Sequence, residues 1–263
     1  MMQTLASLLR MREEGIPIAA LTCYDASFAA LLEGAGVDLL LVGDSLGMVI
    51  QGKETTLSVS MEDMAYHTKC VAQSSKSAFV MADMPFGSYQ ENAQKAFSHA
   101  AMLLSAGAHM VKIEGGLAMS DTVRFLSERG IPVCAHIGLM PQSVHRLGGY
   151  RVQGKTEEEA KRLLGEAAAL EQAGAAMLLL EAIPGELAEE ITESISIPTI
   201  GIGAGSACSG QVLVLYDMLG IYPGKQAKFV KNFMAGASDI GDAVRRYVDE
   251  VKSGVFPGPE HTF

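Results

Sequence analysis

Short apolar runs, broken every five to eight residues by glycine, proline or charge, recur along the chain, and three of them align with one another. They are Ala35-Gly-Val-Asp-Leu-Leu-Leu-Val-Gly-Asp44, Ala106-Gly-Ala-His-Met-Val-Lys-Ile-Glu114 and Ala173-Gly-Ala-Ala-Met-Leu-Leu-Leu-Glu181. Each reads as a helix stop, a strand and a carboxylate. Gly36, Gly107 and Gly174 suit the left-handed position just past a helix C-terminus, and each apolar run has the length of a strand buried on both faces. The glycines are 71 and 67 residues apart, about twice the thirty-odd residues of one strand-helix unit. Each interval therefore has room for one further unit.

The intervals hold such candidates, Ser77-Ala-Phe-Val-Met-Ala-Asp83 in the first and Ile131-Pro-Val-Cys-Ala-His136 in the second. Ile16-Pro-Ile-Ala-Ala-Leu-Thr22 and Ile197-Pro-Thr-Ile-Gly201 extend the series at both ends, and the weaker Gln211-Val-Leu-Val-Leu215 brings the count to eight. Periodicity predicts helices over Ser27–Glu33, Ser60–Gln73, Asn92–Ser105, Ser120–Arg129, Thr156–Gln172, Gly185–Glu193, Lys225–Met234 and Ser238–Lys252. Eight strands alternating with helices predict an α/β fold, a (β/α)8 TIM barrel, rather than an open doubly wound sheet. Gly201-Ile-Gly-Ala-Gly205 lacks the GxGxxG spacing and stands near the end of the chain, which weakens a dinucleotide-binding reading. With no linker or low-complexity tract, residues 1–263 are expected to form one barrel domain with N-terminal and C-terminal helical extensions.

Composition narrows the function. Twenty Lys and Arg against 30 Asp and Glu give a net charge of −10, which argues against a general nucleic-acid binder. No apolar run approaches the length of a membrane span, and the N-terminus lacks a signal-peptide pattern, so a cytoplasmic protein is expected. Cys23, Cys70, Cys134 and Cys208 lie far apart without CxxC pairing and read as core residues.

In a barrel, chemistry is built at the carboxyl ends of the strands. Those positions are Tyr24 and Asp25, Asp44 and Ser45, Asp83, Lys112 and Glu114, His136, and Glu181. Four carboxylates at one mouth repel unless paired or bound to metal, and Asp44, Asp83 and Glu114 are hard oxygen donors that suit Mg²⁺ better than zinc. Taken singly, any of these acids has an equal claim as a helix cap or ion-pair partner. Lys112 and Glu114 are two apart on one strand and so share a face, where the ammonium can hold a substrate carboxylate. Lys112 as a Schiff-base nucleophile is a second possibility, opposed by the acid beside it. His136 has equal standing as a proton carrier, an orienting donor or a satisfied core residue. Glu181 ends a very apolar strand, which would raise its pKa toward that of a working base. The Gly201–Gly205 loop either cradles an anion or only turns tightly.

Several motifs together resemble a known family. They are Val42-Gly-Asp-Ser-Leu-Gly-Met48 with Gln51-Gly52, Ala82-Asp-Met-Pro-Phe86, Met110-Val-Lys-Ile-Glu-Gly-Gly116, Pro141-Gln-Ser143, Gly148-Gly-Tyr150 with Val152-Gln-Gly154, Ile200-Gly-Ile-Gly-Ala-Gly205, and Pro257-Gly-Pro-Glu-His261. From about residue 18 onward the chain resembles the ketopantoate hydroxymethyltransferases. The resemblance implies a barrel of the phosphoenolpyruvate/pyruvate superfamily, with Mg²⁺ on Asp44, Asp83 and Glu114 and with Glu181 as proton acceptor. Asp44, Ser45, Asp83 and Lys112 would contact the oxo acid.

The implied reaction transfers a hydroxymethyl group from 5,10-methylenetetrahydrofolate to 3-methyl-2-oxobutanoate through a metal-stabilised enolate, the first step of pantothenate biosynthesis. A homo-oligomer, commonly of ten copies, is also implied. The nearest alternative is a Mg²⁺-dependent carbon–carbon lyase acting on another 2-oxo acid. A non-catalytic oxo-acid sensor is the reading furthest from these.

Overall fold

The computed structural model describes residues 2–224 and 226–263. Its strands are β1 (Ile18–Thr22), β2 (Leu39–Val42), β3 (Phe79–Asp83), β4 (Met110–Glu114), β5 (Val133–Gly138), β6 (Met177–Glu181), β7 (Thr199–Ile202) and β8 (Gly210–Leu213). They pair in parallel in chain order, and β8 closes on β1. Both faces of every strand are covered, the lumen by inward side chains and the outside by helices, and only the last residue of β6 is less than fully buried.

The outer helices are α1 (Leu5–Glu13), α2 (Ala26–Gly34), α4 (Met61–Ser74), α5 (Ala93–Ser105), α6 (Ser120–Ser127), α8 (Glu157–Gln172), α9 (Gly185–Ser194) and α11 (Ile240–Lys252). Three one-turn helices, α3 (Leu46–Val49), α7 (Val144–Leu147) and α10 (Leu215–Met218), lie in the loops after β2, β5 and β8. Thr4, Asp25, Ser60, Asn92, Thr156 and Asp239 cap helices with their side chains, accepting backbone N–H groups that the first turn cannot pair itself. Gly36, Gly107 and Gly174 stand at φ +95°, +110° and +92°, the left-handed position that the repeat requires. No helix among the described residues is long and apolar enough to cross a membrane.

The helix expected over Lys225–Met234 does not form. Lys225 lies outside the described residues, and 226–234 is a series of turns. On a helix Phe229 and Phe233 would share one face. Here Phe229 packs on Phe263 with ring centroids 6.3 Å apart, while Phe233 packs on Tyr247 and Phe256 at 5.4 Å. Asn232 Oδ1 accepts the Met234 N–H at 2.9 Å, offering the backbone a turn in place of a helix. The last strand is also shorter than expected: Leu215 starts α10, and its N–H donates to Thr22 Oγ1 at 2.8 Å.

The amino-terminal end of the barrel is held by polar contacts. Asp38, just before β2, accepts the Ala19 N–H at 2.9 Å and pairs with Lys252 of α11. Tyr247, also on α11, is fully buried with its hydroxyl 2.7 Å from the Ala20 carbonyl and 2.9 Å from that of Gln211. Glu33 of α2 accepts the N–H groups of Lys76, Ser77 and Ala78 and the Ser75 hydroxyl, at 2.6 to 3.2 Å. Its partial burial opposes ionisation, but these donors prevail and hold its pKa at about 2.

Because the folded pKa is below the ordinary 4.5, Glu33 contributes stability that is complete above about pH 4.5 and is lost as pH falls through about 2. Glu33→Gln should therefore lower stability at pH 7 by about 1 kcal/mol. The difference from wild type should shrink steadily in urea titrations taken from pH 5 down to pH 2.5.

Candidate active site

Strand register brings the polar residues together. Asp83 of β3 sits opposite Lys112 of β4, Glu114 of β4 opposite His136 of β5, and Gly138 of β5 opposite Glu181 of β6. The two-residue alternation of β4 turns both Lys112 and Glu114 into the lumen. Lys112 Nζ lies 3.1 Å from Asp83 Oδ1, 3.9 Å from Glu114 Oε1 and 3.3 Å from His136 Nδ1. His136 Nε2 lies 3.3 Å from Glu181 Oε2. Asp44 follows β2, and its N–H donates to Asp83 Oδ2 at 3.0 Å. All six side chains line one cavity of about 800 Å³ at the carboxyl end of the barrel.

Burial and the charges within the cluster decide its protonation. Burial alone favours the neutral amine of Lys112, but the charges of Asp83, Glu114 and Asp44 reverse that and hold the ammonium above its usual pKa. A Schiff-base lysine must become neutral to attack, so this environment opposes the nucleophile possibility. Burial pushes Asp44 up to about 7, reinforced by Asp83 and opposed by Lys112 and Gln142. Burial likewise raises Glu114 well above the carboxylate range and Glu181 to about 8.

His136 is driven well below its ordinary value, first by burial and then by Lys112, and is a neutral imidazole. An ammonium can only donate, so Nδ1 accepts from Lys112 and the ring proton belongs on Nε2, facing Glu181. The Nε2–Glu181 approach lacks hydrogen-bond alignment, which leaves Nε2 without a hydrogen-bond partner among the described residues.

Gln142, in the turn before α7, completes the cluster. Its side-chain N–H groups donate to Asp44 Oδ2 and to the Met84 carbonyl, both at 2.9 Å, and its backbone N–H donates to Glu114 Oε2 at 2.9 Å. Tyr89, fully buried, donates to Gln142 Oε1 at 2.7 Å and accepts the Glu114 N–H at 3.0 Å. Sequence reasoning weighed titratable groups and metal ligands, so it gave Gln142 no role beyond its place in Pro141-Gln-Ser143 and did not single out Tyr89. Position alone, just past a strand end, was the available signal.

Ser45 pairs with the Tyr24 hydroxyl at 2.8 Å and also lines the cavity. Asp25 instead caps α2, accepting the Ser27 and Phe28 N–H groups. In the Gly201–Gly205 loop, Gly203, Ala204 and Gly205 do not line the cavity, and Gly205 passes so close to Gly185 that a Cβ there would lie 3.1 Å from its Cα. Close packing accounts for that glycine.

Asp44, Asp83 and Glu114 share the cavity but do not converge on one point. Among the described residues no three His, Cys, Asp or Glu side chains are grouped to hold an ion. Hydrogen bonds from Gln142 and the ion pair with Lys112 take up part of their charge instead.

Comparison with known proteins bears on this geometry. A model of the family described as ketopantoate hydroxymethyltransferase matches residues 2–259. A 3-methyl-2-oxobutanoate hydroxymethyltransferase of Nitrosospira multiformis is 65% identical over 254 residues, 97% of each chain. Among solved structures, a 2,3-dimethylmalate lyase of the PEP mutase/isocitrate lyase superfamily superposes with a TM-score of 0.59 at 20% identity, over 84% of this chain and 83% of that one. A phosphonopyruvate hydrolase in complex with oxalate and Mg²⁺ superposes with a TM-score of 0.62 at 14% identity, over 81% of each chain. At those identities the likeness is one of fold.

Gln142→Leu removes the donor to Asp44 and the partner of Met84 while leaving both acceptors buried. The expected cost is about 2–4 kcal/mol in urea unfolding at pH 7. An unchanged midpoint would show that these contacts do not hold the cluster together.

Proposed function

The chain belongs to the ketopantoate hydroxymethyltransferase family, and from that membership we propose that it transfers a hydroxymethyl group from 5,10-methylenetetrahydrofolate to 3-methyl-2-oxobutanoate, with Glu181 as the base. The observation that carries this reading is the pairing of a partly buried, basic Glu181 with a charge-rich pocket two strands away, with neutral His136 on the strand between them.

The donor set suits a Mg²⁺ ion by its chemistry, although its three carboxylates are not grouped around one point here. Asp44, Asp83 and Glu114 offer only hard oxygens, and one ammonium is set against four carboxylates. These three residues would hold the ion, and its few protein ligands would leave positions for substrate oxygens. The solved phosphonopyruvate hydrolase carries Mg²⁺ and oxalate, a small dicarboxylate, on the same fold. Bound there, Mg²⁺ would draw electron density from the substrate carbonyl and make the adjacent C3–H more acidic.

The protein's own groups do the rest. Lys112 and Ser45, beside Asp44 and Asp83, bind and orient the oxo acid at the strand ends. Glu181 accepts the C3 proton. His136, neutral with its Nε2 facing Glu181 at 3.3 Å, adds no positive charge to lower the basicity of that carboxylate. The electron pair left at C3 forms a bond to the donor's methylene carbon, the carbon–nitrogen bonds to folate break, and one water supplies the hydroxyl oxygen. The products are 2-dehydropantoate and tetrahydrofolate.

A carbon–carbon lyase, the alternative raised by the sequence, has only the fold likeness in its favour. Residues 1–263 are read as one barrel domain with α1 and α11 as its helical extensions. A homodecamer is the assembly that family membership implies. Tyr66 and Leu117, 67% and 65% exposed, are apolar side chains suited to burial between copies.

Proton NMR of 3-methyl-2-oxobutanoate in D₂O tests the base. Wild type should exchange the C3 proton, faster as pH rises through the ionisation of Glu181, because only the carboxylate form accepts a proton. Glu181→Gln should lower the exchange rate at least about 100-fold while still binding the oxo acid. A variant that exchanges at the wild-type rate removes Glu181 from this role.

A further inference from the structure

The cavity is much larger than a five-carbon oxo acid requires, and its β8 wall carries a carboxylate that the proposed chemistry leaves unused. Asp217, on α10, lines the cavity and is half-buried. Among the described residues its side chain makes no hydrogen bond and no ion pair. The same cavity is lined by the apolar side chains of Ile202, Val212 and Val214 and by the rings of Tyr222 and Phe229. A half-buried carboxylate facing such a space lacks a donor, and burial alone has raised its pKa to about 6. A ligand that brought two parallel N–H groups would relieve it.

The pterin of a folate has that chemistry. Its pyrimidine edge presents an N3–H and a 2-amino group side by side, matching the two oxygens of a carboxylate as a guanidinium does. Its flat ring suits apolar and aromatic walls. Given the folate-dependent reading above, on which this rests, we propose that Asp217 pairs with the N3–H and 2-amino edge of the folate donor. The pterin is thereby fixed against the β8 wall while the oxo acid occupies the strand ends from β2 to β6. Asp217 is in this sense a residue that selects the folate, distinct from the groups that handle the oxo acid.

The test uses the whole protein and two donors, 5,10-methylenetetrahydrofolate and its 2-desamino analogue. Wild type should use the analogue with kcat/KM lower by about 100-fold, since the site's carboxylate is then left half-paired. Asp217→Ala should raise the KM for methylenetetrahydrofolate about tenfold or more and reduce the discrimination between the two donors to about threefold. The Kd of the variant for 3-methyl-2-oxobutanoate should stay within about twofold of wild type. Equal use of both donors by wild type would overturn the assignment without recourse to any variant. So would an unchanged KM for the folate in Asp217→Ala. If wild type releases no tetrahydrofolate from any donor, the folate reading itself fails, and the role of Asp217 with it.

Discussion

One buried ammonium governs this molecule. Lys112 is 4% exposed and stands among Asp83, Glu114 and Asp44, while Glu181 lies across His136 from it. Placing four carboxylates at one barrel mouth is tolerable only because that charge, the Gln142 amide and a few backbone N–H groups are fixed around them. The compensation is incomplete. Asp44, Glu114 and Glu181 all remain harder to ionise than free carboxylates. Such a cluster is poised for a further cation and for an anionic substrate that brings its own oxygens.

The barrel supplies the geometry, and its two ends divide the work. At the amino-terminal end, Asp38 and Glu33 accept backbone N–H groups, and Asp38 also pairs with Lys252, so that outer elements are tied to the sheet. At the carboxyl end, acids of the same types face a cavity and lack sufficient donors. The difference is one of register and not of residue chemistry. A shift of one residue in β4 would turn Lys112 and Glu114 outward together, and the eightfold closure that prevents such a slip also fixes the spacing of the site.

Three strands, β2, β4 and β6, were legible because each lies in a repeat of glycine, apolar run and carboxylate, and the spacing of that repeat marked where the others fall. Site residues were legible for the same reason, since a polar residue ending an apolar strand stands out. Elements set by tertiary contacts were not. The 226–234 segment has helical periodicity, but its two phenylalanines are claimed by different neighbours, Phe263 on one side and Tyr247 with Phe256 on the other. The one-turn helices α3, α7 and α10 are too short to show a period. Two functional candidates, Gln142 and Asp217, sit in or beside such turns a few residues past β5 and β8, where no apolar run ends on them to set them apart.

Neutral His136 reconciles two demands that would otherwise conflict. In the proposed reaction the pocket around Lys112 must hold an anionic oxo acid, whereas the proposed base must keep its affinity for a proton, which nearby positive charge reduces. Lys112 faces the Nδ1 side of the ring and Glu181 the Nε2 side. The imidazole therefore links the two geometrically while carrying no charge of its own, because burial and the ammonium both suppress its protonation. A positively charged side chain at this position would pull Glu181 toward the ordinary carboxylate range and lower its affinity for a proton. A purely apolar one would leave the ammonium without an acceptor on that side. A buried histidine held to one tautomer by a permanent cation meets both requirements.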